Sequence, residues 1–448
     1  MNTPINRRGL LQSALVGGFT VWVGRRAWSA ENQSPNSQIS FGCIGVGGKG
    51  DSDTFDANTH GNVVAICDVD ANTLARAAAK YPKARQYRDW RKMFDEMHKE
   101  LDGVTVSIPD HSHAAASCAA MHLGKAVYCQ KPLAHSIYEV RHMAELARKS
   151  GVATQMGNQG TAENSMRRNA YKVRAGAIGE VKEIHVWTNR PIWPQGIDRG
   201  PNLPVPANLD WELWIGPAPM RPFAEHYHDF QWRGWWDFGT GALGDMACHD
   251  VNLPFMALDL RDPLSVTAEC SGHNRDSYPK KSQIVFEFGA TKTRPAVQMI
   301  WYDGGNKPDR DLLADKEIGE FLDDGKVPDS GSLFVGTKGK LFSPGDGGAG
   351  GHFIGGIDVG DVKFPESPGH WEEFVRAIKT NNSEPAMSNF PNYAGPLAET
   401  ILLGNLAVWP ADSGTGPKVT WDAKHLRAKG APGLDRIIKP AFRHGYSL

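Results

Sequence analysis

The chain has 448 residues, with 49 Lys and Arg against 50 Asp and Glu for a formal charge of -1, and 40% apolar residues. That length accommodates two domains with sizeable cores, and the apolar content excludes wholesale disorder. The even charge balance, without basic runs, gives no footprint for nucleic acid or an anionic membrane, so a small molecule is the expected partner.

The first thirty residues read as a targeting segment. Asn6-Arg7-Arg8-Gly9-Leu10-Leu11 opens an apolar stretch to Val23, and Ala27-Trp28-Ser29-Ala30 supplies small residues for cleavage. This resembles a twin-arginine export signal, with an uncleaved anchor as the alternative and Arg25-Arg26 as a departure from the usual pattern. Export implies a periplasmic protein without a membrane span in its mature form. Residues 31–37 are a polar linker, and the folded part starts near Gln38.

From there apolar runs alternate with helical patterns: strands over 39–45, 63–67, 103–107, 125–129 and 152–156, with helices from 48 and over 71–80, 88–98, 112–123 and 136–149. Such alternation predicts a doubly wound parallel sheet over 38–157. Asp70 and the capping box Ser136-Ile-Tyr-Glu139 mark two helix starts.

The first strand runs into Gly45-Val-Gly47-Gly48-Lys49-Gly50, and the second ends at Asp68. A G-x-G-x-x-G turn between strand and helix, with an acid closing the next strand, is the pattern of a dinucleotide site. Gly45 permits the tight turn, Gly47 the approach of the pyrophosphate, and Gly50 the packing of helix on strand. The helix amides face the phosphates. Asp68 accepts from the ribose hydroxyls and repels a 2'-phosphate, which favours NAD over NADP.

Beyond 157 the pattern changes to an α+β substrate and oligomerisation domain over 158–448, with a large, mostly antiparallel sheet. Strands are expected over 181–189, 264–271, 283–288, 295–302, 332–336 and 339–343, and helices over 164–175, 368–380 and 393–407, the last two packing back on the core. Residues 191–237 hold five prolines before Trp211 and many aromatics after it, as an ordered loop over a pocket would. The six cysteines include no C-x-x-C, and His111-x-His113, like His226-x-His228, lacks a third ligand, so no metal site is expected.

Two further elements carry chemistry. The fifth strand ends in Gln130-Lys131-Pro132, which aims Lys131 at the ligand crevice of an open α/β sheet. Asp245 and His249, four apart in a glycine-rich helix, share a face, so the carboxylate can orient and stabilise a protonated imidazole.

The glycine turn, Lys131-Pro132 and Asp245-x-x-x-His249 together resemble the Gfo/Idh/MocA family, named for glucose-fructose oxidoreductase and inositol dehydrogenase, and specifically its exported bacterial members. The resemblance implies an NAD(P)-dependent oxidoreductase acting on a hydroxyl of a sugar, polyol or glycoside, with Lys131, Asp245 and His249 as catalytic residues. It also implies cofactor contacts from Ile108, Pro109, His113, Gln130, Lys131, Asn158, Gln159, Trp232 and Arg233. Arg190, Trp193, Trp235 and Trp236 are candidates for a polar and stacking wall against a sugar ring. The family usually has glutamate where Gln130 stands, so a negative charge beside Lys131 is missing here. Confinement outside the cytoplasm implies a tightly held cofactor. It leaves open an NAD-dependent glycosidase that oxidises, eliminates, hydrates and reduces again, or an aldose-aldose transfer. A sugar- or nucleotide-binding protein without catalysis is the remaining alternative. Association into a homo-oligomer through the second sheet is expected from the same resemblance.

Overall fold

A computed structural model describes residues 38–314, 316–319, 326–431 and 433–448. The targeting segment and linker lie outside the described residues. Six parallel strands form the first sheet: β1 (Ser40–Ile44), β2 (Asn62–Cys67), β3 (Arg85–Tyr87), β4 (Gly103–Val106), β5 (Ala126–Cys129) and β6 (Thr154–Met156), in the order β3-β2-β1-β4-β5-β6. Helices α1 (Lys49–His60), α2 (Ala71–Lys80), α3 (Trp90–Met97), α4 (Asp110–His122) and α5 (Ile137–Ser150) make the crossovers. Strand β3 escaped the sequence reading because Arg-Gln-Tyr offers three residues with only Tyr87 buried.

The helix starts follow their capping residues. Asp70 accepts from the amides of Asn72 and Thr73, and Ser136 with Glu139 forms the reciprocal capping box of α5. Strands β4 and β5 are buried along their whole length, which is why they read as continuous apolar runs rather than as alternation.

The chain leaves the first sheet through α6 (Asn164–Arg174) and builds a second sheet. It contains β7 (Val181–Trp187), then, after the short α7 (Trp211–Ile215), α8 (Gly241–Asp250) and α9 (Asn252–Leu258), β8 (Ser265–Cys270), β9 (Ser282–Phe288) and β10 (Val297–Tyr302). After a four-residue α10 (Lys316–Gly319) come β11 (Gly331–Gly336), β12 (Gly339–Pro344), β13 (His352–Gly355), α11 (His370–Lys379), α12 (Gly395–Val408), β14 (Val419–Asp422), β15 (Arg427–Lys429) and α13 (Asp435–Ile438). The order is β13-β12-β11-β7-β10-β9-β8-β14-β15. All neighbours are antiparallel except β7 and β10, which run parallel. Three short strands at the ends of this sheet, β13, β14 and β15, are ones that the periodicity did not reveal.

The C-terminal part returns to the first sheet. Trp371 of α11 stacks on Tyr128 of β5 at 4.5 Å and meets Phe41 of β1 edge-on at 6.1 Å. That cluster covers the first sheet, while a separate and larger core is shared by both sheets, with α12 buried between β8, β9 and α5. Residues 191–238 form neither sheet nor long helix. They enclose a core of their own, in which Trp211, Trp214, Tyr227, Trp235 and Phe238 pack on one another.

Candidate active site

The carboxyl ends of β1, β2, β4 and β5 meet α8 and the 191–238 segment at one crevice. At its glycine turn Gly45 has φ +78°, and a Cβ there would lie 2.3 Å from Ser107 O. A Cβ on Gly50 would lie 2.1 Å from Gly45 O, so helix α1 approaches the turn as the fingerprint requires. Asp68 accepts from Val46 N at 3.0 Å and Asp70 N at 2.9 Å, which fixes its carboxylate beside the turn.

These residues fit a dinucleotide. Gly48, at φ +54°, has nothing within 4 Å of the position a Cβ would take, so the turn is open where the N-terminus of the 12-residue α1 can meet a phosphate. Asn158 at the end of β6 is fully buried, gives its oxygen to Ser388 and leaves Nδ2 without a partner, a donor waiting for an acceptor. Gln159 beside it is exposed, and Ile108 and Pro109 are half-buried at the end of β4.

Lys49 turns back to Asp53, with Nζ 2.7 Å from Oδ1. Asp53 is fully buried and also accepts from Ser107 Oγ at 2.7 Å and Gln130 Nε2 at 2.8 Å. The missing negative charge at position 130 is therefore present one side chain away, in α1. A glutamine is required there because a carboxylate at the same distance from Asp53 would place two buried negative charges in contact. Nothing in the local sequence announced Asp53 except its position four residues after Lys49.

Lys131 follows through a cis Lys131–Pro132 peptide. Its Nζ reaches Asp245 Oδ1 at 2.9 Å and the Asp245 carbonyl at 3.0 Å. Arg233 Nε takes the same Oδ1 at 3.0 Å, and its guanidinium lies between Trp232 and Phe230. Burial pushes Asp245 up, but Lys131 and Arg233 outweigh it and hold the carboxyl well below the usual range. The Asp245 carboxylate binds two cations, Lys131 and Arg233, and acts on the His249 imidazole only at a distance, raising it against the larger effects of burial and Lys131.

His249, half-buried on the same helix, is pushed down to about 3 by desolvation and by the Lys131 charge. The ring is neutral at physiological pH. Arg190 acts on it from the end of β7. Asp110 at the start of α4, buried and accepting from Thr240 Oγ1 at 2.7 Å, is raised to about 7 by desolvation.

Other expected contacts lie elsewhere. His113 is buried, with its ring nitrogens 2.8 Å from Pro132 O and 2.7 Å from Ile108 O, so it braces the turn carrying Lys131 and does not face a ligand. Trp235 is fully buried and donates to His226 O, while Trp236 stacks on Tyr278 at 3.8 Å; both are core, not a sugar wall. Trp193 is buried as well and donates to Gln195, near the Arg233 guanidinium. Arg190 of that group contacts Asn189 and acts on His249 only electrostatically. Among the described residues no cluster of three or more His, Cys, Asp or Glu could hold a metal.

The 191–238 segment reaches the other end of the crevice. Asn208 O accepts from Ala71 N at 2.8 Å, Asp210 N donates to Val69 O at 3.0 Å, and Asn208 Nδ2 donates to Asp70 Oδ2 at 2.5 Å. It is a strap fastened beside Asp68.

Comparison with known proteins agrees with this architecture. Residues 39–158 match the model of an oxidoreductase family with an NAD-binding Rossmann fold, and residues 180–310 match the C-terminal alpha/beta domain of that family. The chain is 23% identical over 188 residues to levoglucosan dehydrogenase of Pseudarthrobacter phenanthrenivorans, covering 42% of this chain and 40% of that one. It is 28% identical over 153 residues to inositol 2-dehydrogenase of Salmonella paratyphi B, covering 33% of this chain and 45% of that one. Thus the matched region spans less than half the length of these relatives. The WlbA dehydrogenase of Bordetella pertussis, solved with NADH and UDP-GlcNAcA, has the same fold at a TM-score of 0.60 and 16% identity, over 86% of this chain and 99% of that one.

The Asp53 network yields a double-mutant prediction. Gln130→Glu is expected to destabilise the protein by about 2–3 kcal/mol, and Asp53→Asn in the same chain to recover most of that loss. Urea denaturation of the four variants measures it, and additive effects of the two substitutions would refute the charge relocation.

Proposed function

The chain belongs to the Gfo/Idh/MocA oxidoreductase family, and we propose that it oxidises a secondary hydroxyl of a sugar or polyol with NAD. The observation that carries this reading is the convergence of Lys131, Asp245 and His249 beside an open glycine turn. Names of relatives, levoglucosan and inositol dehydrogenases among them, support the substrate class.

The turn at 45–50, Asp68 and Asn158 would hold the dinucleotide, whose nicotinamide supplies the hydride acceptor. His249, neutral and unclaimed by Asp245, takes the hydroxyl proton. Lys131 spends two N–H bonds on Asp245 and points its third at the alkoxide oxygen. Asp245 and Arg233 keep that ammonium in place.

Retention of the cofactor is part of the proposal. The strap fastened at Asn208 and Asp210 flanks the ribose end, and Arg443 near the C-terminus secures it by donating to Gly216 O at 2.9 Å and Glu212 O at 3.0 Å. The Arg7-Arg8 motif supports export with the nucleotide already aboard.

Lys131→Ala and His249→Ala are each expected to lower kcat about 10²- to 10⁴-fold while leaving the Kd for NADH within a factor of about three. Turnover is measured on a polyol panel that includes myo-inositol and levoglucosan, and full activity in either variant would overturn the assignment. Because His249 is lowered to about 3, it is already in its base form above roughly pH 4. The kcat/KM profile should therefore show no acid limb near 6.5; such a limb, abolished in His249→Gln, would contradict the local electrostatics. Native mass spectrometry of the purified protein should show a bound dinucleotide that survives extensive dialysis, and its ready loss would refute retention.

A further inference from the structure

Successive residues of the second sheet point to opposite faces, one packed on α12 and the large core and the other turned outward. On β9 and β10 the inward set is Ile284, Phe286, Phe288, Val297, Met299 and Trp301, all members of that core. The outward residues are of two kinds. From β13 across to β10 they include Trp187, Ile300, Tyr302, Leu333, Phe342 and Ile354, which form a second buried cluster. From β9 across to β14 they are mainly polar, with Gln283, Glu287, Thr267, Glu269 and Thr420, while Val285 packs against the same cluster.

Outward side chains are buried only if something lies over them, and here the cover comes from the connection between β10 and β11. Leu313 and Ile318 are buried members of the cluster, and Leu312 and Val327 pack against it. Polar bonds fasten the cover to the sheet. Trp187 Nε1 donates to Pro328 O at 2.9 Å, Lys340 Nζ to Leu312 O at 3.0 Å, and Lys307 Nζ to Val327 O at 2.8 Å. Asn189 Nδ2 donates to Asp329 Oδ2 at 3.2 Å, and Thr188 Oγ1 lies 3.2 Å from Ser330 Oγ, so the cover also holds the residues that lead to Arg190.

We infer that Leu312, Leu313, Ile318 and Val327 do for this face what a second copy of the chain would do, so that the protein does not pair through its second sheet. A stable pair buries roughly 800 Å² on each partner around an apolar centre, and the apolar part of this face is already consumed. What stays accessible is unsuited to self-association. Glu183, Glu269 and Glu287 line the uncovered part, and Glu287 is engaged by Lys418 and Ser265. Two copies related by a two-fold axis would bring the same acidic patch against itself and strip it of water. The association through this sheet that the family resemblance implies is therefore blocked by the chain itself. Nothing in this depends on which hydroxyl the crevice oxidises.

The test places one thiol on the outward face of the full-length protein. Gln283 is exposed on β9, and five of the six native cysteines are buried, so Gln283→Cys can be read against the background of the unsubstituted protein. With excess maleimide-polyethylene glycol its labelling rate should agree within about twofold at about 1 µM and about 100 µM protein, and should lie within about tenfold of the rate for free cysteine. Protection at either concentration would show the face occupied by another copy and overturn the inference. Leu313→Asp puts a carboxylate into the cluster and should raise the fluorescence of added anilinonaphthalene sulfonate about fivefold while a cooperative melt and the Kd for NADH are kept. An unchanged signal would overturn the covering role. The labelling comparison is made with the native cover, so it decides the matter even if the Leu313 variant does not fold.

Discussion

The centre depends on one carboxylate. Asp245 Oδ1 receives Lys131 from the end of β5 and Arg233 from the strap, so three segments distant in sequence meet on a single atom. Removing three charges from water is costly, and only their mutual contact offsets it. Loss of Asp245 would leave two largely buried cations side by side without a counter-charge. The arrangement fixes where the dinucleotide sheet, the helix α8 and the strap can sit relative to one another, and the reacting groups inherit that precision.

The same reasoning explains Gln130. A negative charge near the lysine turn is retained, but it resides on Asp53, where Lys49, Ser107 and Gln130 all donate to it. A buried carboxylate with three donors has its hydrogen-bonding capacity filled, whereas two facing carboxylates would repel each other. The departure from the family pattern at 130 is thus one half of a pair whose other half is in α1. The charge lies one side chain from Gln130, and through Asp53 the turn that carries Lys131 is tied to the helix that follows the glycine turn.

Much of this was legible in the sequence, for definable reasons. Parallel strands buried on both faces read as apolar runs, and the glycine turn with Asp68 is a local pattern whose residues are all within one β-α-β unit. Lys131 was found because strand ends in such sheets face the ligand. What stayed hidden was non-local. No spacing rule says that Asp245 is claimed by Lys131, 114 residues away, and not by His249 four residues along its own helix. The aromatic residues near 235 suggested a sugar wall, yet Trp235 and Trp236 are consumed by the strap and its seam with Tyr278. Composition cannot distinguish an aromatic surface from an aromatic core. Asp53 carried no local signature because its role arises from what folds against it.

The electrostatic balance of the recess shows how these parts act together. Lys131, Arg190 and Arg233 bring positive charge, and Asp245 brings the one firmly ionised carboxylate, since desolvation raises both Asp110 and Asp250. The excess of positive charge has two consequences. It adds to the desolvation that lowers His249, Lys131 outweighing the opposing effect of Asp245, so under the proposed reaction the imidazole could accept a proton without first shedding one. It also stabilises the negative oxygen that remains when a hydroxyl loses its proton, in a space shielded from water where each charge acts strongly. A weakly basic imidazole gains little from proton transfer by itself. In the proposed reaction the same cations that weaken the imidazole as a base would stabilise the alkoxide, so the driving force for the transfer would have to come from the oxygen held by the lysine.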